Sequence, residues 1–188
     1  TVAENQTNAA TITVTDAESD SISFSLSGAD SNSFTISSSG ALTFNNAPDY
    51  ETKELYSLVI TASDGTSAVS QTVSIAISNV NEVPQISALS STQTPDENQA
   101  SVVTVSASDP DANTTLTYSV SGTDSSLFAI TSSGVLTFRS SPDYETPGDA
   151  DGDNNYQINV LVSDGSLSVT QAITVQVQNV ADLISGVA

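Results

Sequence analysis

The sequence has no cysteine, no histidine and no tryptophan, and its only basic residues are Lys53 and Arg139. Without cysteine no disulfide framework can form, so small domains in this chain need another staple. Without histidine and cysteine, the nitrogen and sulfur ligands preferred by zinc and copper are missing. A Ser-His-Asp or Cys-His catalytic group cannot be assembled either, and only carboxylate chemistry stays open to an enzyme. The 2 basic residues face 22 Asp+Glu over 188 residues, a formal net charge of −20. Such a surface repels phosphate, which excludes nucleic acid, anionic lipid and heparin-like partners, and it attracts cations. No run approaches the ~20 apolar residues of a membrane span, and no basic segment followed by an apolar run opens the sequence, so direct membrane insertion is not expected. The missing cysteine does not argue against secretion, because a metal can staple a domain instead.

What the chain does have is itself, twice. "VAENQTNAATITVTD" matches "PDENQASVVTVSASD", and "SSSGALTFNNAPDYET" matches "TSSGVLTFRSSPDYET". Glu4 pairs with Glu97 and Asp16 with Asp109; Phe24 pairs with Tyr118 and Pro48 with Pro142. After "YET" the register jumps by six, pairing Tyr56 with Tyr156, Asp64 with Asp164 and Asn79 with Asn179. The jump places an insertion, "PGDADGDNN" at 147–155, in the second copy only. Self-similarity at a fixed period of ~90 residues means tandem modules, each a marginal domain in its own right. The expected domains are 1–82 and 83–188, with the boundary in "NVNEVPQ".

Every aromatic residue repeats, including Phe34/Phe128, Phe44/Phe138 and Tyr50/Tyr144. Full pairing is expected of core residues; a stacking platform for sugars would add unmatched aromatics. Strand signals such as "TITVTD", "SISFSLSG", "LYSLVITASDG" and "VSQTVSIAISNV" recur every 8–12 residues, separated by turn clusters. "SSGAL" and "SSGVL" carry glycine where a hairpin needs positive φ. No segment sustains a 3.6-residue period. Short alternating strands with turn punctuation predict an all-β protein, two antiparallel sandwiches of immunoglobulin-type Greek-key topology.

The acids fall at strand ends and at the boundary between copies. Glu4, Asp49, Glu51 and Glu82 are expected to face that junction from the first copy. Asp109, Asp111 and Asp164 face it from the second, with Asn79, Asn81 and Asn113 as neutral oxygen donors. Two half-sites remain: Asp16, Glu18, Asp20 and Asp64 on one side, and Glu97, Asp143, Glu145, Asn179 and Asp182 on the other. They suggest a piece of a longer array. In the insertion, Asp149, Asp151 and Asp153 alternate like the start of a calcium loop. The closing glutamate is missing, since the twelfth position from Asp149 is Val160; the alternative is a solvated acidic loop.

These motifs resemble the cadherin repeat, and more closely the cadherin-like modules of large bacterial surface proteins. The resemblance covers essentially the whole chain. "AEN" around Glu4 and "DEN" around Glu97 resemble the family's early "xEN" glutamate. Asp49-Tyr50-Glu51 and Asp143-Tyr144-Glu145 are similar to its "DRE" motif. "NVNEVP", Asn79 to Pro84, resembles the "DxNDNxP" linker, Asp109-Pro110-Asp111 the "DAD" motif, and Asp164 in "SDG" the aspartate of "A-x-D-x-G". Three calcium ions between successive modules are what the resemblance implies. There are departures. The linker begins with Asn79 instead of Asp, Glu82 and Val83 replace Asp and Asn, and Pro84 comes one residue early. The second linker has Ala181 where an Asn is expected. These departures change the oxygens offered to the three ions. The tryptophan that many animal cadherins use for strand exchange is absent.

Calcium takes six to eight hard oxygen ligands, and a junction can supply them if each module brings half. Without ions, carboxylates ~4 Å apart repel by ~4 kcal/mol per pair at an effective dielectric of ~20. The ion-free junction should flex and the loaded one lock. A site filled at ~100 times its Kd adds ~2.7 kcal/mol of stability. The expected function is a non-catalytic calcium-binding module of a bacterial cell-surface adhesin, extracellular, rigidified as a spacer by Ca2+ and by neighbouring repeats. The alternative is calcium-dependent self-association or recognition of a cell-surface polysaccharide. A carboxylate glycosidase would need a cleft lined by sugar-stacking aromatics, which the pattern does not offer. Halophilic adaptation would spread acids over the wet strand faces, which here are mainly Ser, Thr and Gln.

Overall fold

The computed structural model describes residues 1–181, so Asp182 lies outside the described residues. The chain divides into two compact units, Thr1–Val80 and the chain from Asn81 onward. The first holds β1 (Val2–Ala3), β2 (Asn8–Thr11), β3 (Ser23–Ser27), β4 (Phe34–Ile36), β5 (Ala41–Phe44), β6 (Leu55–Ser63) and β7 (Ala68–Ser78). The second holds β8 (Gln85–Ser87), β9 (Thr92–Gln93), β10 (Ser101–Thr104), β11 (Ser106–Ser108), β12 (Thr117–Ser121), β13 (Phe128–Ile130), β14 (Val135–Phe138), β15 (Asn155–Ser163) and β16 (Ser168–Gln176). A single turn of 3-10 helix precedes β4 and another precedes β13.

Each unit is a sandwich. In the first, a sheet of order β1-β7-β6-β3 faces a sheet of order β2-β5-β4; in the second, β12-β15-β16-β9 faces β10-β14-β13, and β11 pairs with β8. The architecture is the expected all-β tandem. Strand alternation decides the faces. Along β6, Leu58, Ile60 and Ala62 point inward and the residues between them are less buried. The same inward set on β15 is Tyr156, Ile158, Val160 and Val162. Period-2 patterns of this kind bury one face and wet the other.

The aromatic pairing is largely a core pairing. Phe34 and Phe44 sit 4.4 Å apart between centroids, with Tyr56 edge-on to both. Phe128, Phe138 and Tyr156 repeat the cluster, the first two again at 4.4 Å. The Tyr50/Tyr144 pair departs from the expectation. Tyr50 packs at the margin of the first core, whereas Tyr144 is 37 % exposed. In the second unit the insertion follows the "DYE" turn directly, and Asn154 donates its side-chain N–H to the Tyr144 carbonyl at 2.9 Å.

Two glycines are needed by close approach as well as by conformation. Gly40 (φ 81) and Gly134 (φ 80) turn the β4–β5 and β13–β14 hairpins, and a Cβ on either would lie 2.2 Å from a carbonyl oxygen, that of Ile12 or Val105. The same contacts carry the hydrogen bonds Ile12 N–H to Gly40 O and Val105 N–H to Gly134 O, both 2.8 Å.

Candidate metal centre

Two carboxylates are anchored from inside. Glu4 is only 3 % exposed although ionisable. Its Oε2 accepts the Tyr50 N–H at 2.7 Å and its Oε1 the Val80 N–H at 2.7 Å. The next residue, Asn5, turns the chain at φ 61, a conformation asparagine tolerates better than most residues. Its N–H reaches the Pro48 carbonyl at 3.0 Å. Glu4 thereby ties the amino-terminal strand, the "PDYET" turn and the end of β7 into one knot.

Glu97 repeats this arrangement. It is 4 % exposed and accepts the Tyr144 N–H at 2.9 Å and the Val180 N–H at 2.8 Å. Those two N–H groups, Tyr144 first, hold its carboxyl below the ordinary glutamate value. Asn98 stands at φ 62 with its N–H on the Pro142 carbonyl.

Around each anchor stand two more carboxylates. Ligand oxygens of Glu4, Asp49 and Glu51 lie within 4.8 Å of one another, and so do those of Glu97, Asp143 and Glu145. Asp49 accepts the Thr52 N–H at 3.0 Å, and Asp143 accepts those of Glu145 and Thr146 at 3.0 and 3.2 Å. These bonds rigidify the turn. Asn79 donates to Glu51 at 3.0 Å and Asn179 to Glu145 at 2.6 Å. All of these donors are oxygen, the chemistry hard cations take.

In the second unit, Asn81 and Glu82 at the start of its chain bond two further acids. Asn81 donates to Asp164 Oδ2 at 2.7 Å, and the Glu82 N–H to Asp111 Oδ2 at 2.8 Å. The Asp111 N–H reaches Asp109 Oδ1 at 2.9 Å. Asp164 is held below the usual carboxylate range by the Asn81 amide and then by the N–H groups of Leu167 and Ser166. Asp109 Oδ2 is shielded from solvent and meets no hydrogen-bond donor among the described residues. A shielded, unpartnered carboxylate oxygen is costly, and a cation would satisfy it. The donor set and this orphaned oxygen fit calcium. Asn113, expected as a neutral donor, lies on the exposed loop at φ 65. In the first unit Asp16 accepts the N–H groups of Glu18 and Asp20 at 3.1 and 2.9 Å, and Asp64 those of Thr66 and Ser67 at 2.7 and 2.6 Å, the same local folding.

The insertion gathers Asp149, Asp151 and Asp153, also within 4.8 Å. Asp149 is buried, which pushes its carboxyl up, but the N–H groups of Asp153 and Asn154 and the Asp151 side chain outweigh burial and hold it low. Asp151 is pushed up by its carboxyl contact with Asp149 and then by the charge of Asp153. Asn154 Oδ1, also buried, has no donor among the described residues.

Sequence reasoning missed one acid pair. Asp30 accepts Lys53 Nζ on Oδ1 and the Ser57 N–H on Oδ2 at 2.7 Å. Asp124 accepts the Ala150 N–H at 2.9 Å and the Gln157 N–H at 2.6 Å. The matching "GAD" and "GTD" were the available signal.

A tandem pair of β-sandwiches with carboxylate clusters at their ends defines the class of protein, and the comparisons with known proteins agree with it. The sequence profile of the cadherin domain matches residues 1–79 and 91–178. The chain belongs to the cadherin domain family. Among solved structures it is similar to human protocadherin-24 EC1-2 (form II), with a TM-score of 0.65 and 20 % identity over 95 % of this chain and 93 % of that one. It is also similar to mouse cadherin-23 EC22-24, with a TM-score of 0.56, 24 % identity and 85 % of this chain against 53 % of that one. Drosophila N-cadherin EC1-4 gives a TM-score of 0.57 at 20 % identity over 95 % and 47 %. The chain thus spans about half the length of the latter two. At these identities the likeness is one of fold. No curated protein sequence matches the chain. Among the described residues no helix is long and apolar enough to cross a membrane.

Proposed function

We propose that the chain is a non-catalytic, calcium-binding tandem module of an extracellular bacterial surface adhesin, and that Ca2+ stiffens the passage from one repeat to the next so that the array acts as a spacer. The observation that carries this is the carboxylate cluster built twice by one motif, Glu4-Asp49-Glu51 and Glu97-Asp143-Glu145. Each cluster has its innermost glutamate fixed by two backbone N–H groups. Fixed oxygens that repel one another favour an ion over the open state. Asp109, Asp111 and Asp164, with Asn79, Asn81, Glu82 and Asn113, would contribute the remaining oxygens, and the module limits proposed from the repeat are 1–82 and 83–188. Asp149, Asp151 and Asp153 would take an additional ion. Calcium bound there supplies charge neutralisation, and the chain's own residues supply orientation. Amide 15N relaxation tests the spacer role. With calcium, both modules are expected to report one common, slower tumbling time; in EDTA they report shorter and separate ones. Identical relaxation in both conditions would contradict the proposal.

One observation favours a second reading, self-association or glycan binding through the second module. Tyr144 is exposed beside the insertion, while its counterpart Tyr50 packs on a core. Sedimentation and glycan-array binding of a chain lacking the insertion separate the two readings: loss of either association with the insertion removed would favour the second.

A further inference from the structure

Beside Asp30 in the first module stands a lysine. Lys53 Nζ pairs with Asp30 and lies 4.6 Å from the ring centroid of Tyr56. In the second module Pro147 stands at the lysine's position and the insertion follows it. There the Gly148 N–H reaches the Tyr156 hydroxyl at 3.1 Å, and the Ala150 N–H reaches Asp124 Oδ1 at 2.9 Å. Main-chain donors meet the same two partners, but they bring no charge.

The charge left unbalanced is large. Asp124 is 4 % exposed, and Asp149, the residue between those two donors, is 8 % exposed. Oxygens of Asp149, Asp151 and Asp153 lie within 4.8 Å of one another. Among the described residues the only ion pair is Lys53–Asp30, so these four carboxylates have no side-chain cation paired with them. Buried carboxylates are normally paired or hold a metal. Asn154 leads to the same conclusion. It is also 8 % exposed, and its N–H closes the loop onto Asp149 Oδ1 at 3.3 Å. Its Nδ2 is engaged by the Tyr144 carbonyl, and its Oδ1 is shielded from solvent with no donor among the described residues. The loop's ionised carboxylates only accept hydrogen bonds, so they cannot satisfy that oxygen; a cation can.

We propose that the insertion exchanges a lysine for a metal. One Ca2+, held by Asp149, Asp151, Asp153 and Asn154 Oδ1, takes over inside the second module the charge balance that Lys53 provides beside Asp30. This rests on the additional ion assigned to the loop above, and adds to it a neutral ligand and a structural part of its own. The ligands are all oxygen, as calcium prefers, and all lie in one loop, so the site needs nothing from a neighbouring module. Loading fixes Gly148 and Ala150 against Tyr156 and Asp124. Asp124 in turn accepts the Gln157 N–H at 2.6 Å, so occupancy of the loop is felt at the start of β15. The first module, with its lysine, has no such dependence.

Calcium titration of the 15N-labelled full chain tests this, with MgCl2 as the control. Expected are saturable, calcium-specific amide shifts at residues 148–155 and at Gln157, followed separately from Tyr50 and Val80, which report the Glu4 cluster. Asp151→Asn should weaken calcium at the loop by roughly tenfold, because the site loses one charged ligand. In EDTA the same substitution removes a repelling charge, so the second-module melting temperature, read from β15 amide signals, should hold or rise. An equal loss of stability with and without calcium would make Asp151 a structural residue only and overturn the proposal. Deleting residues 148–153 together with Pro147→Lys should reduce the calcium-induced gain in that melting temperature; an undiminished gain would also overturn it. Shifts at Tyr50 and Val80 without any at 148–155 would sink the loop site and leave the spacer function standing. Shifts at 148–155 alone would support the loop site and count against the spacer function.

Discussion

Ala150 donates its backbone N–H to Asp124 at 2.9 Å, occupying the place that Lys53 fills against Asp30 in the first module. The insertion thus replaces a side-chain cation with a main-chain donor. Both aspartates also brace the start of the long strand, through the N–H of Ser57 or of Gln157. Deleting Gly148–Asp153 should therefore leave Asp124 with an unmet oxygen and cost about 1–3 kcal/mol in the second module. Adding Pro147→Lys to the deletion, which restores the first module's arrangement, should recover part of that loss. Denaturant melts of the three chains measure it.

Acid should act on the first module through Asp30. Its carboxyl lies below the ordinary value, chiefly because of Lys53 and next because of the Ser57 N–H. A depressed folded-state value means the stabilisation is fully present above the unfolded pKa, about 4, and is lost as pH falls through the folded value. Lys53→Gln should lower the first-module melting temperature at pH 7 and flatten its decline below about pH 4. An unchanged slope would show that Lys53 is incidental.

The anchoring and clustering carboxylates should separate by mutation. Glu4→Ala leaves the N–H groups of Tyr50 and Val80 without their acceptor. Each buried unmet donor costs about 1–3 kcal/mol, so the first module should be destabilised even in EDTA. Asp49→Ala should cost less in EDTA and should lower the calcium affinity, read by titration calorimetry.

Much of this was legible beforehand because it is periodic. Leu58, Ile60 and Ala62 alternate, Phe34 and Phe44 recur as Phe128 and Phe138, and Gly40 and Gly134 mark hairpins. What was not legible is what period cannot carry. β1 and β9 are two residues each and pair in parallel with distant strands, Val2 with Ile77 and Thr92 with Thr174. Two residues show no alternation. For the site, the motif "PDYET" marked Asp49 and Glu51, but that Glu4 is a structural anchor follows only from its bonds to Tyr50 and Val80.

Glycine substitutions should follow local crowding. Gly40→Ala and Gly134→Ala combine positive φ with a 2.2 Å contact to a carbonyl oxygen, and each should cost well over the ~1 kcal/mol of an ordinary conformational penalty. Gly65→Ala shares the positive φ, 94°, but meets nothing within 4 Å, so it should cost less. Urea midpoints rank the three.

The most direct test of the account is a thermal melt in EDTA, in millimolar CaCl2 and in matched MgCl2. A calcium-specific rise of roughly ten degrees or more is expected, from ~2.7 kcal/mol per well-filled site, which Glu51→Ala and Asp111→Ala each reduce. Coincident curves in all three solutions would contradict it, leaving the paired clusters as turns that hold only themselves.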